Sequence, residues 1–273
     1  MLARLRILIV LCALCGAAHT LAGEELRSDL ENGIALITSR KGEVTLAPPG
    51  ARPSEAELHK VVPLTGFEVN SGSGEHIFFA LSNGVGLGVY EDSRVRFVSY
   101  QQRPYTAGKE SLDYEPSRSS LVIELREGSL SFAAEYLSPL SEVVIKLPRG
   151  QVRIHQASGR VLYNESGAHI SITSGIVSYD YPNTTEEEFI NGPNRVRISD
   201  QSAVRGRVDE SSKIASDASG ELTQHLVAAT RHASERVLFR VSPEEPASIP
   251  QPVLVAKPES LQEASPRPYR YLD

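Results

Sequence analysis

Apolar and polar positions along this chain alternate in short runs that close on glycine. A recurring unit places an apolar residue three positions before a glycine and a β-prone run after it. It occurs as Leu81-Ser82-Asn83-Gly84, Leu125-Arg126-Glu127-Gly128, Leu147-Pro148-Arg149-Gly150, Ile172-Thr173-Ser174-Gly175 and Phe189-Ile190-Asn191-Gly192. A polar or charged residue precedes each glycine, and Asn-Gly between β-branched or aromatic runs is a strong signal for a type I′ hairpin turn. The units therefore read as short strands folded back at glycines. Residues 121–132 lie over 168–179 without a gap, with Gly128 over Gly175. Val95-Arg96-Phe97 and Val196-Arg197-Ile198 put apolar side chains on one face and charge on the other, as in strands with one solvated face. Further strands are expected at 43–46, 67–70, 77–81, 85–90 and 94–98. The predicted class is all-β: short antiparallel strands forming a sandwich or a solenoid-like roll, with one C-terminal helix and a proline-rich tail.

The same pattern divides the chain. Residues 1–22 have Arg4 and Arg6 as a basic start, an apolar stretch from Ile7 to Leu14 and a small-residue cleavage pattern at Thr20-Leu21-Ala22, the plan of a secretory signal peptide. Its apolar run is shorter than the roughly 20 residues a membrane span needs. Residues 23–41 read as a mixed lead-in, a short helix followed by a first strand, and 42–199 as the β domain. Within that domain, 48–53 is a loop and 101–119 a long polar loop or insertion. Residues 200–216 are polar and strand-poor, which suits a linker. A helix is expected over 217–241, capped near Asp217 or Ser219, with Leu222, Leu226, Ala229, Ala233 and Val237 as its apolar stripe. The tail, 242–273, carries seven prolines and is expected to be extended and solvent-facing.

Composition narrows the function classes. Both cysteines, Cys12 and Cys15, lie in the signal segment, so the mature chain has no disulfide, thiolate metal site or cysteine nucleophile. Neither has the small residue before it that a lipid-attachment site wants. The whole chain has a formal charge of −6, and loss of Arg4 and Arg6 leaves 26 basic against 34 acidic residues, or −8. That balance argues against nucleic acid or anionic lipid as a partner.

No reactive constellation emerges from the motifs. Asn70-Ser71-Gly72-Ser73-Gly74 lacks the first glycine of a nucleophile elbow and reads as a tight turn. Gly84-Val85-Gly86-Leu87-Gly88 has the wrong spacing for a dinucleotide fingerprint and precedes Val89-Tyr90, so it reads as a glycine-rich strand packed closely on a neighbour. His225 and His232 share a helix face but need a third ligand from elsewhere, and His155 and His169 read as outward strand residues. Glu186-Glu187-Glu188 reads as a solvated acidic loop. No catalytic, cofactor-binding or metal-ligating residues are assigned, and no cofactor is expected. One binding element is singled out: Tyr269, Arg270 and Tyr271 at the C-terminus, residue types that dominate binding hot spots.

The order of the units resembles the FecR domain, an exported β domain of bacterial iron-transport signalling. The family's early G-x-V matches Gly42-Glu43-Val44, and its P-L-x-x-G-x-x-V-x-T-G pattern is similar to Pro63-Leu64-Thr65-Gly66-Phe67-Glu68-Val69-Asn70-Ser71-Gly72, shortened by one. Phe79 to Gly84, Asp92-Ser93-Arg94-Val95-Arg96-Phe97, Ile123 to Leu130 and Ile145 to Val152 continue the match. Leu147 stands where the family has threonine, Ser71 replaces the T of its T-G pair, and Ala157-Ser158 stands for a G-T. Signalling members carry a cytoplasmic anti-sigma segment and a membrane helix before this domain, and this chain shows only an export signal there.

The resemblance and the lack of reactive groups imply a non-catalytic exported binding or scaffold module of the cell envelope, periplasmic or extracellular. Its partner would be an envelope protein or glycan, with no transmembrane span left after cleavage. The alternatives are a secreted carbohydrate-active enzyme, since repetitive β folds also host acid/base sites, and a structural component of an envelope or secretion assembly.

Overall fold

A computed structural model describes residues 30–104, 115–182, 185–198, 208–214, 218–240 and 251–254. In chain order the strands are β1 (Glu31–Asn32), β2 (Ala35–Lys41), β3 (Thr45–Ala47), β4 (Ser54–Glu55), β5 (Val61–Val62), β6 (Glu68–Ser71), β7 (His76–Leu81), β8 (Gly86–Val89) and β9 (Ser93–Gln102). They continue as β10 (Ser119–Ala134), β11 (Glu142–Lys146), β12 (Gln151–Asn164), β13 (Gly167–Asp180), β14 (Glu187–Asn191), β15 (Asn194–Ile198) and β16 (Val208–Lys213). The helix α1 (Ala218–Glu235) follows, then a two-stranded ribbon of β17 (Val237–Arg240) and β18 (Gln251–Leu254).

All strands from β1 to β16 belong to one sheet, which folds over into two layers. The helix layer, on whose outer face α1 rests, runs β5-β2-β7-β8, then the second half of β10, the second half of β12, the first half of β13, β15 and β16. The open layer runs β4-β3-β6-β9, then the first half of β10, β11, the first half of β12, the second half of β13 and β14. Three long strands thus serve both layers. The expected all-β class with one C-terminal helix is what the chain adopts. One pair departs from the antiparallel expectation: β10 and β11 run parallel, because the chain leaves the open layer along β10 and re-enters it at residue 142.

Alternation fills the space between the layers. Val95, Phe97, Leu121, Ile123 and Leu125 from the open layer meet Ile77, Phe79, Leu81, Leu130 and Phe132 from the helix layer, all fully buried. The Phe79 and Phe97 rings cross the core edge-to-face with centroids 5.7 Å apart. Full burial of each such side chain is worth about 1.5–3 kcal/mol.

The glycines do two different jobs, which corrects the hairpin reading. Gly84 and Gly150 lie in turns, between β7 and β8 and between β11 and β12. Gly128 and Gly175 sit inside β10 and β13, at the points where those strands pass from one layer to the other, and Gly192 lies at the equivalent point between β14 and β15. At these corners neighbouring backbones touch. A Cβ on Gly175 would collide with the Gln156 carbonyl oxygen and lie 2.7 Å from Ala157 Cα, and its φ is +80°. A Cβ on Gly128 would collide with Ser93 and lie 2.6 Å from the Asp92 carbonyl oxygen. The gapless match of 121–132 with 168–179 therefore marks two strand bends, not two turns.

Other boundaries move as well. Residues 208–213, expected in a linker, form β16 on β15, and 251–254, expected in a solvent-facing tail, pair with β17. The helix ends at Glu235, and Val237 belongs to a strand. Its buried face is Gly220, Thr223, Leu226, Val227, Thr230 and Ala233, whereas Leu222 is exposed. The stripe is rotated because the sheet beneath offers hydroxyls and bare backbone. A Cβ on Gly88 would lie 2.7 Å from Ser131 Oγ and 2.8 Å from Thr230 Oγ1, and one on Gly86 would lie 2.7 Å from Ser234 Oγ. The glycine-rich strand is thus packed closely on a neighbour, and that neighbour is α1. Tyr90 Oη donates to the Leu226 carbonyl at 2.8 Å, and Ser131 and Thr230 hydroxyls pair across the contact.

Gly175→Ala is expected to cost about 3 kcal/mol or more, because it combines positive-φ strain with a backbone collision. Gly84→Ala has φ of +87° but open space around the new methyl, so its cost is expected to stay at about 1–2 kcal/mol. Urea denaturation of both variants checks this, and equal losses would contradict the distinction between bend and turn.

Candidate functional site

Three places gather polar chemistry. The first is buried. Tyr100, at the end of β9, accepts a hydrogen bond from the Asn83 backbone N–H at 3.0 Å and shares one with Ser82 Oγ at 3.0 Å, and Ser82 Oγ donates to Gln102 Oε1 at 2.5 Å. Asn83 Nδ2 donates to Ser119 Oγ at 2.9 Å, and Ser119 Oγ donates to the Glu115 carboxylate. Glu115 Oε2 also accepts from the Ser138 backbone N–H at 2.9 Å. Burial pushes the Glu115 carboxyl above the ordinary range, opposed by its hydrogen bonds to Ser119, Ser141 and Ser138. A raised carboxyl pKa can mark a general acid. Here the carboxylate is turned into hydrogen bonds that tie the start of β10 to residues 138–141. Its geometry is that of a clamp. Nothing in the sequence pattern singled out Glu115, since its partners come together only through the fold.

The second place is the outer face of the open layer. Between the β11–β12 turn and the β13–β14 connection lies an open groove of about 480 Å³, lined by Lys146, Gln151, Arg153, Asp180, Tyr181 and Glu187 among others. Cross-strand neighbours form a ladder there: Arg153 pairs with Glu142 and, at 3.2 Å, with Asp180, and Gln151 Nε2 donates to Asp180 Oδ2 at 2.7 Å. Farther along the layer Arg126 bridges Glu124 and Glu68 at 3.2 and 3.4 Å. Exposed pairs of this kind contribute about 0–1 kcal/mol each, so they shape the surface more than they hold it together. Beside the groove Phe189 is 60 % exposed and Ile176 44 %. The ring of His155, an outward strand residue as expected, stacks on Phe189 with centroids 5.9 Å apart. These apolar groups sit on and beside β14, which among the described residues pairs only with β13. Of the acidic run 186–188, Glu187 and Glu188 fall on that edge strand.

The third place lies where α1 meets the helix layer. His76 packs against Phe78 and Tyr90, with ring centroids 5.3 and 6.3 Å away. Burial, with Lys41 adding to it, lowers the His76 pKa. His169, outward on β13, is also lowered, first by burial and then by Arg197, Arg195 and Arg160. His225 and His232 both lie on α1, and among the described residues no three His, Cys, Asp or Glu side chains are grouped so as to hold a metal ion. No helix among the described residues is long and apolar enough to cross a membrane. Tyr269, Arg270 and Tyr271, the expected partner-binding residues, lie outside the described residues, as does the signal segment 1–22.

No family model matches the chain, and no curated protein matches it. Two crystal structures, each of a candidate anti-sigma factor from Parabacteroides distasonis ATCC 8503, are similar to it. One is 15 % identical over 54 % of this chain and 59 % of that one, and the other 14 % identical over 72 % of this chain and 89 % of that one. Both superpose with a TM-score of 0.39. The chain therefore spans less than two thirds of the first.

The two histidines set a pH dependence. Their folded pKa values lie below the ordinary 6.5, so the stability they contribute is complete above that value and is lost as pH falls through it. Glu115 has the opposite sign, since a raised carboxyl pKa contributes stability at low pH that is lost as pH rises. Denaturation at about pH 7.5 and about pH 5.5 is expected to show a smaller acid-side loss in a His76→Gln, His169→Gln double variant than in the parent. An equal loss would contradict the assignment.

Proposed function

We propose that this chain is a non-catalytic exported binding module of the cell envelope, of the FecR-domain type, and that its partner is another envelope protein engaged along β14. The observation that carries the reading is an aromatic side chain held out on a strand that, among the described residues, is paired on one side only. Phe189 and Ile176 expose apolar surface beside main-chain groups that β13 leaves available on the far side of β14. An extended segment added to such an edge gains main-chain hydrogen bonds, and exposed side chains such as Phe189 give it specificity.

Two further features favour binding over catalysis. The ionisable groups of the groove are joined in cross-strand ladders. The carboxyl with a raised pKa, Glu115, is 9 % exposed and directed at Ser119 and Ser138. Export rests on the pattern of residues 1–22, and the family type on the order of the glycine-punctuated units.

A photo-cross-linker placed at position 189 in whole cells, followed by mass spectrometry, is expected to recover one envelope protein. Phe189→Asp is expected to lower the affinity of that pair about tenfold or more while leaving the denaturation midpoint within about 0.5 kcal/mol of the parent. Failure to recover any adduct from cells that export the protein would overturn the reading.

A further inference from the structure

Beyond the edge of α1, the outer face of the helix layer is unlike the rest of this acidic chain. Cross-strand register draws two adjacent rows across β10, β12, β13, β15 and β16. One row is Ser131, Arg160, Ser171, Arg195 and Ser212, and the other is Ser129, Leu162, His169, Arg197 and Glu210. Val161, Tyr163, Ile170, Ile172, Val196 and Ile198 point into the core, so alternation turns the basic side chains outward. Three arginines and a histidine thus occupy one patch. Glu91 acts on Arg160, and Glu210 occupies the register position opposite Arg197.

Arg160 and Arg195 flank Ser171 from the strands on either side. Strands about 4.8 Å apart put those two Cα atoms roughly 10 Å from each other, close enough for two long guanidinium side chains to converge on one tetrahedral anion above Ser171. Arg160 Nε donates to Ser129 Oγ at 2.6 Å, which fixes the plane of its guanidinium. Ser171 is only 7 % exposed, and its hydroxyl stands on the strand between those of the two arginines. An oxyanion would accept from that hydroxyl and from the guanidinium forks, whose geometry suits phosphate. The positive field is already felt by His169, whose pKa is lowered by Arg197, Arg195 and Arg160 in addition to burial.

We propose that this face holds a phosphate group, seated over Ser171 between Arg160 and Arg195 with His169 and Arg197 in the adjoining row. The group arrives either as free phosphate or carried on a sugar. The site is on the face opposite the β14 surface and does not depend on the proposed partner.

Isothermal titration of the full chain with inorganic phosphate and with a hexose 6-phosphate, at low ionic strength, tests it. Saturable binding of either is expected, weakened about tenfold by Arg195→Gln and several-fold by Ser171→Ala, each of which removes direct contacts. Arg153→Gln, on the open layer, is expected to leave it unchanged. Tighter binding of the hexose phosphate assigns the sugar-borne group, and equal affinity assigns free phosphate. Ser171→Ala keeps the test valid should an arginine variant fail to fold. The proposal is overturned if neither compound binds more tightly than about 10 mM, or if Arg153→Gln weakens binding as much as Arg195→Gln.

Discussion

Backbone meets backbone where β10, β13 and the β14–β15 pair cross from one layer to the other, and the fold depends on those contacts. A long strand that pairs in both layers must bend sharply between them, and its neighbour must bend beside it. At Gly175 the adjoining chain at Gln156 and Ala157 occupies the space where a side chain would start. At Gly128 the neighbour is the Asp92-Ser93 corner, where the chain passes from β8 to β9. With these corners closed, alternate side chains of both layers face one core. The sheet then leaves two outward faces, and their chemistry is set by which residues the alternation turns out.

The two faces differ because, among the described residues, only one is covered by a helix. Gly86, Gly88 and Ser131 make a shallow track in the helix layer, into which α1 settles with hydroxyls as well as apolar side chains. Beyond the helix the same face carries Arg160, His169, Arg195 and Arg197. The open layer carries mixed charge in ladders, an open groove and the Phe189 edge. A chain with a formal charge of −6 therefore separates its charge by face. Such separation orients ligands and partners before contact.

Much of the framework was legible in the sequence. Period-two alternation located most of the strands from 43 to 198, and the crowded Gly84-to-Gly88 run announced a close neighbour. The glycines misled where local sequence holds no distinguishing mark. Leu147-Pro148-Arg149-Gly150 turns and Leu125-Arg126-Glu127-Gly128 bends, and Asn191-Gly192 bends although Asn-Gly is a hairpin signal. What separates them is the chain that lies alongside, a tertiary fact. The helix stripe was displaced for a similar reason: Thr230 is buried because Ser131 and Tyr90 supply partners for its hydroxyl. Neither Glu115 nor the arginine rows could be read in advance, because each is assembled across strands distant in sequence. The Phe189 edge was hidden for the same reason, since exposure depends on which strand ends the sheet.

If the corners make one structure of two layers, the halves of each long strand cannot open separately. Native-state hydrogen exchange resolved along β10, β12 and β13 measures this directly. The account predicts that amides on both sides of Gly128 and Gly175 share one opening free energy, close to that of global unfolding. Exchange of 119–127 or 176–180 at a markedly lower free energy than the rest of the same strand would show two independent sheets and contradict it.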